Sequence, residues 1–276
     1  MTLKMKTAGT IGLTMAAFII LLFLFMRPVI LNDAKLMDEE SLETDRKRVE
    51  SYIESEKMDL QRFNRDWAVW DDSYTFMQNR SEAYIGSNLI PETFENSAIN
   101  LMVFINTKDE VIYANGYDLA DGTELDLASS LQQVPEIIEE AENGNGLVII
   151  EDSSFGSVMV AVDEILRSEG QGPSAGHLAS GIFLNESFFY TMRNTLALDV
   201  QVVNKEAGDL KIQELDEKTL SSLLAVSDGL TLELKKERKY YQQKSSSMNG
   251  LFLALAIATI ILVILVYYLM DMLVLS

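Results

Sequence analysis

The sequence predicts an α+β domain, a long amino-terminal helix packed on an antiparallel sheet, flanked by two transmembrane helices. Three observations carry this reading. Ala8 to Met26 and Gly250 to Met270 are runs of 19 and 21 residues without a charge, each enough at about 1.5 Å per residue to cross roughly 30 Å of hydrocarbon. Between them, Leu42, Arg46, Val49, Ile53, Glu56, Leu60, Phe63, Trp67, Trp70 and Tyr74 are spaced alternately by four and three, and eight of these ten are apolar, which is a heptad stripe. After the stripe the pattern changes to short β-branched and aromatic runs separated by polar turns.

The spans and their flanks give the organisation. Residues 1–7 are predicted to be cytoplasmic, 8–31 the first span, 32–248 an extracytoplasmic domain with its core at about 42–240, 249–270 the second span, and 271–276 the start of a cytoplasmic, HAMP-like continuation. Lys4 and Lys6 precede the first span and favour the cytoplasm. Lys235, Lys236, Arg238, Lys239 and Lys244 lie on the exported side of the second span, but long translocated segments obey charge rules weakly and the first helix dominates. A cleavable signal peptide fits less well: the apolar core is longer than about 7–15 residues, and Arg27-Pro28-Val29-Ile30-Leu31 offers no small-x-small site.

Charge and composition exclude several function classes. Taking Lys4, Lys6 and Arg27 from the 22 basic residues, and Asp271 from the 42 acidic ones, leaves 19 against 41, a net −22 for the exported part. Such a charge repels nucleic acid and anionic lipid surfaces, and leaves open an acidic face for a cationic ligand. No cysteine is present, so there is neither a disulfide nor a thiolate metal site. His177 is the single histidine, which leaves a serine–histidine pair or a histidine metal site almost no material. No cofactor is expected.

The elements follow in order. No Pro or Gly interrupts 32–84, so a helix of about 35–45 residues is predicted to leave the membrane and run along the domain. Its stripe packs either on its own domain or, in its polar first half, against a second copy. Asn100 to Ile105 and Val111 to Ala114 flank a polar turn and read as a hairpin. Ser129 to Asn143 reads as a short helix, Leu147 to Ile150 and Val158 to Leu166 as a second strand pair around Ser153 to Gly156, and Leu178 to Leu184 as the next strand. Asn185 caps a helix from Ser187 to Leu196, and Leu198 to Val203 is a strand. Leu215 to Val226 is predicted to be helical, and Leu230 to Leu234 closes the sheet. This order suggests a sheet of PAS or Cache type.

The most specific string is Asp66-Trp-Ala-Val-Trp-Asp-Asp-Ser-Tyr-Thr-Phe76. Both tryptophans lie three apart, on one face of a helix, beside three acids and two further aromatics. With Tyr84, Asn88, Phe94 and Ile99 to Ile105 downstream, the string resembles the fourth class of CHASE domains over roughly Leu42 to Phe189, weakening after Leu166. That resemblance implies an extracellular sensing module followed by a cytoplasmic diguanylate cyclase (hence cyclic di-GMP), phosphodiesterase or histidine kinase, with the present chain stopping before the output.

Two readings of the string stay open. In one, Trp67 and Trp70 are core, and Asp66, Asp71 and Asp72 cap neighbouring loops. In the other, Trp67, Trp70 and Tyr74 form an aromatic wall, Asp71 or Asp72 binds an ammonium or hydroxyl group, and Tyr113 on the sheet completes a site for a small polar or cationic solute. An Asp71–Asp72 catalytic dyad is disfavoured, because adjacent helical residues point about 100° apart. Asp118, Asp121, Glu124 and Asp126 lack the spacing of a calcium loop, and Asn185-Glu-Ser187 matters as a glycosylation triplet only in a eukaryotic secretory pathway.

The expected function is sensing: a two-span cell-membrane receptor, paired as a homodimer, that binds a small-molecule ligand and relays the event inward. A membrane-anchored adaptor whose acidic domain binds a protein partner is the alternative. An enzyme is not expected.

Overall fold

Helix α1 (Leu3–Ala68) carries the first apolar run and most of the stripe in one element of 66 residues. It continues through Pro28, which has no N–H to donate, as proline-containing membrane helices do. The computed structural model describes residues 3–127, 130–152, 156–203, 212–227 and 229–275. Met1, Ser129, the expected turn residues Ser153 to Phe155, and Ser276 lie outside them.

Three short helices follow, α2 (Asp71–Asn79), α3 (Glu82–Asn88) and α4 (Pro91–Ser97). Strands β1 (Leu101–Ile105), β2 (Val111–Asp118) and β3 (Thr123–Glu124) precede helix α5 (Val134–Asn143), and β4 (Leu147–Asp152), β5 (Gly156–Glu164) and β6 (His177–Phe183) come after it. Helix α6 (Glu186–Leu196), strands β7 (Asp199–Val203), β8 (Gln213–Glu214), β9 (Thr219–Ala225) and β10 (Thr231–Glu237), and helix α7 (Lys239–Leu275) complete the order. The chain divides into two compact units. A sheet unit contains Asp45–Leu210 and Leu223–Leu234; a helical unit contains Met1–Thr44, Lys211–Ser222 and Lys235–Ser276.

In the sheet unit, six antiparallel strands lie in the order β3-β2-β1-β6-β5-β4. Val103 pairs with Ala114 and Ala179, and Phe104 pairs with Tyr113 and Leu178. Because side chains alternate, Leu101, Val103, Ile105, Val158 and Val160 share one face and pack with Val134, Ile138 and Ala141 of α5. Met102, Phe104, Met159 and Leu178 fall on the other face, each essentially without exposure. Helix α1 covers that face: the Asn64 side-chain amide donates to the Leu178 carbonyl at 3.1 Å and to Asp163 at 3.0 Å, and Arg65 pairs with Asp163 at 3.1 Å. Val49, Ile53 and Leu60 of the stripe are buried in this unit, so this part of the stripe packs on its own chain.

Three sequence expectations are corrected, the first being that Leu230 to Leu234 closes the sheet, since its strand β10 lies in a second, four-stranded sheet and not in the six-stranded one. From residue 32 to Ala68 the first helix keeps the expected length, but the last members of the stripe, Trp70 and Tyr74, lie beyond its end. It ends at Ala68, whose carbonyl accepts the Leu166 N–H at 3.1 Å, while Val69 bridges Leu166 in parallel and Trp70 is extended at φ −136°, ψ 133°. Backbone pairing with a residue nearly a hundred positions away supersedes local helix preference here. The segment from Leu215 to Val226 is not helical. Its apolar spacing serves either period over so short a run, and pairing decides: Gln213 and Glu214 of β8 face Ser221 and Leu220 of β9, within the strand order β7-β10-β9-β8.

In the helical unit, both α1 and α7 are long and apolar enough to cross a membrane. Phe23 and Phe252 rings lie 4.6 Å apart, and a side chain at Gly12 would meet Val263 at 3.0 Å. Buried Asp38 on α1 caps α7. Its two carboxylate oxygens accept the N–H groups of Tyr240 at 3.0 Å and Tyr241 at 2.9 Å. Lys236 donates to the Ser41 hydroxyl and carbonyl at 2.6 and 3.1 Å, and Glu214 takes Lys35 and Arg238, each at 3.2 Å.

Candidate functional site

The aromatic-acidic string occupies the α1–α2 corner of the sheet unit, and its members separate there by role. Asp71 is the first residue of α2; its carboxylate accepts the Ser168 N–H at 3.1 Å while its own N–H donates to the Ser168 hydroxyl at 3.3 Å. Tyr74 is buried, with the Arg167 guanidinium 4.7 Å from its ring centre, a cation–π contact that already supplies a cation. Asp72 is exposed. The string thereby clasps the loop after β5.

The remaining rings run into the core. Trp67 meets Trp70 edge-on at 5.7 Å, Trp70 lies 6.0 Å from Tyr84, and Tyr84 stacks on Phe76 at 4.7 Å. Phe76 also meets Phe104 at 5.1 Å and Tyr113 at 6.0 Å. Trp67, Trp70 and Tyr113 therefore belong to one aromatic run, with Phe76 as its hub, and Tyr74 lies apart against Arg167. The register places Tyr113 opposite Phe104, on the face away from α5.

Tyr84 is the buried polar member of the run. Its hydroxyl and the Ser73 hydroxyl are 2.8 Å apart. Burial, with a smaller contribution from the Asp72 charge, raises its pKa to about 12 against the opposing Ser73 hydrogen bond. Because the phenol ionises at 10.0 when unfolded and about 12 when folded, its contribution is fully present below pH 10 and is lost as pH rises through 12. Urea midpoints of the chain are expected to fall over that window, with about 2 kcal/mol of the loss missing in Tyr84→Phe.

Two cavities differ in chemistry. Between the sheet and α5, a space of about 40 Å³ is lined by Leu101, Val103, Ile138, Val158 and neighbouring aliphatic side chains. With apolar walls and room for little more than a water molecule, it is a packing void of the core. The second measures about 260 Å³. It is bounded by Tyr52 and Glu56 of α1, Asn100 before β1, Asp118 at the end of β2, and Phe188 and Thr191 of α6. The Tyr52 and Phe188 rings stand 6.1 Å apart, nearly edge to face. Burial, then the Glu56 carboxylate, raises the Tyr52 phenol to about 12.

Local devices fix these walls. Asn185 caps α6, its side-chain oxygen accepting the N–H groups of Ser187 at 3.0 Å and Phe188 at 3.2 Å. Buried Asn100 ties three strands, donating to the Tyr117 carbonyl at 3.0 Å and accepting the Phe183 N–H at 2.9 Å. Asp118 stops the chain in a turn by accepting the Ala120 N–H at 2.9 Å, and Asp121 does the same for Thr123 at 2.9 Å. Among the described residues no three His, Asp or Glu side chains gather to hold a metal. In the sequence Glu56 belongs to the heptad stripe, Asp118 to an acidic group with Asp121, Glu124 and Asp126, and Asn185 to a helix cap, and nothing there joins them into a cavity, since four distant segments build it.

Comparison with known proteins places this geometry. Residues 52–203 match the CHASE4 domain. The methanogenesis regulatory histidine kinase FilI of Methanothrix harundinacea is 25% identical over 133 residues, covering 47% of this chain and 15% of that protein. The chain thus spans a small part of that relative's length. The extracellular domain of a candidate histidine kinase, vpHK1S-Z8, superposes with a TM-score of 0.53 at 10% identity, over 77% of this chain and 99% of that structure. The periplasmic domain of Vibrio cholerae LuxQ gives 0.51 at 13% identity, over 71% and 99%. At these identities the two structures attest the fold.

Proposed function

The chain belongs to the CHASE4 domain family, a sensor domain of the histidine-kinase receptor type, and from that premise we propose that it receives a small solute outside the membrane and relays the event inward. In this reading α1 and α7 are the two spans, Lys4 and Lys6 keep the amino end in the cytoplasm, and a second copy of the chain completes a dimeric receptor. The kinase activity of the relative belongs to that longer protein; a cytoplasmic output coupled to this chain is part of the proposal.

One observation carries the relay. The strand that ends the domain, β10, runs within two residues into α7, and the first N–H groups of α7 are held by Asp38 of α1. A displacement of β10 relative to α1 would therefore reach both spans through a short, charge-assisted contact. Spin labels at Ala34 and Ser246 test it: a saturating ligand should change their distance distribution, and an unchanged distribution in the liganded receptor defeats the relay.

The cap has its own expected signature. Asp38→Ala removes two hydrogen bonds from a carboxylate to a helix amino end, at a cost of about 1–2 kcal/mol. Amide exchange at Tyr240 and Tyr241 should accelerate by roughly tenfold, with partial rescue in Asp38→Asn, which keeps one acceptor. Exchange equal to that of the parent chain would show that Asp38 does not hold this end of α7.

A further inference from the structure

Resting on the sensor reading, we propose that the cavity of about 260 Å³ among α1, the end of β2 and α6 is the ligand site, and that it takes a small organic cation, an alkylammonium compound or a short diamine. The residues argue this through size, charge and surface. The volume exceeds what a bare metal ion needs, and its carboxylates, Glu56 and Asp118, fall short of the oxygen-rich shell that calcium requires. The room suits an ion that carries its own apolar body.

Charge fixes the sign. Glu56 accepts from the Tyr52 hydroxyl and Asp118 from the Ala120 N–H, and among the described residues neither forms a salt bridge with a lysine or arginine, so two negative charges line one cavity with no described counter-ion. The amino end of α6 opposes them with roughly half a positive charge. That end is already occupied: Asn185 takes two of its N–H groups, and Glu186 lies in its first turn. The balance favours a cation and rejects carboxylate or phosphate ligands.

Surface chemistry narrows the class further. Tyr52 and Phe188 offer aromatic rings, and Leu119 and Ile182 add aliphatic wall. Aromatic faces attract poorly hydrated organic cations far better than strongly hydrated inorganic ones. The hydroxyls of Thr191 and Ser187 line the same space, where their oxygens can accept from an ammonium N–H; the Thr191 hydroxyl also donates to the Ser187 carbonyl at 3.0 Å. A quaternary ammonium would use the rings and carboxylates alone, whereas a primary amine would use the hydroxyls too.

The test is calorimetric titration of the full chain in nanodiscs with tetramethylammonium, choline and putrescine, and with acetate, malonate and glycerol at matched ionic strength. At least one cation should bind saturably, with affinity about tenfold weaker in Glu56→Gln and in Asp118→Asn, each losing near 1.4 kcal/mol, and weaker again in Phe188→Leu. Both carboxylate variants keep the shape and the acceptor that Asp118 gives to Ala120, and circular dichroism verifies that they fold. Absence of cation binding up to about 10 mM, or equal affinity in both carboxylate variants, overturns this assignment. Saturable binding of acetate, malonate or glycerol with no cation response would overturn it while leaving a small-solute sensor standing; silence from all six compounds would count against both.

Discussion

Gly176→Ala is expected to be the most damaging single substitution in the sheet unit, reducing stability by about 4 kcal/mol or more. Gly176 has φ +129°, a conformation that residues with a Cβ rarely adopt. A Cβ there would lie 1.9 Å from the Ile105 carbonyl oxygen and 2.8 Å from the Asn106 Cα. Those neighbours are backbone, at the end of β1, so no side-chain rotation relieves the overlap. The glycine is also pinned on both sides: its carbonyl accepts the Ile165 N–H at 2.8 Å and the Ser174 hydroxyl at 2.9 Å, while its own N–H donates to that hydroxyl at 3.2 Å. Relief would have to separate β1 from β6 where Ile105 pairs with His177. Gly122→Ala is the control, since Gly122 has φ +74° with nothing within 4 Å, and backbone strain alone should cost about 1 kcal/mol. Urea unfolding of both variants separates the contributions; equal losses would mean that the β1–β6 junction yields easily.

The same junction shows where sequence pattern suffices and where it does not. The hairpin of β1 and β2, the pair β4 and β5, and the Asn185 cap were legible because each rests on neighbours in sequence: a polar turn between β-branched runs, or a side chain reaching its own helix two and three residues on. The break after Ala68 was not legible, because no Gly or Pro marks it and its cause is Leu166. Strand β9 is hidden from the pattern for a related reason: its Leu220 and Leu224 fall on one face in either period, and only partner strands choose between them.

The candidate site divides along the same line. Composition showed that Trp67, Trp70, Asp71, Asp72 and Tyr74 were unusual together, but their partners Arg167 and Ser168 are almost a hundred residues away. Tyr113 was placed on the sheet correctly, and the face it takes depends on a register that a bulge between Phe104 and Ile105 shifts. The acidic cavity has no sequence signature at all. Tyr52 and Glu56 are four apart on one helix, but Asp118 and Phe188 join them only through the fold.

Phe76→Ala is expected to cost about 3–5 kcal/mol, the range for emptying a large aromatic site in a core that relaxes only partly. Phe76 is 1% exposed, stacks on Tyr84, and meets Phe104 and Tyr113 edge-on. Removing it strips a shared partner from Tyr84 of the short helix α3 and from Phe104 and Tyr113 of the β1–β2 hairpin, leaving the Tyr84–Phe104 ring contact at 6.3 Å between them. The stacked pair itself should contribute roughly 1 kcal/mol of coupling, measurable as non-additivity among Phe76→Ala, Tyr84→Ala and their double variant in urea unfolding. Additivity within about 0.3 kcal/mol would reduce the contact to burial alone. Cation titrations of the same variants distinguish core from pocket. If the aromatic run is core and the ligand sits against Tyr52 and Glu56, the folded fraction of Phe76→Ala should keep the parent affinity, as should Trp70→Ala. A loss of affinity in Trp70→Ala without loss of stability would instead move the site to the aromatic wall around Trp67, Trp70 and Tyr113.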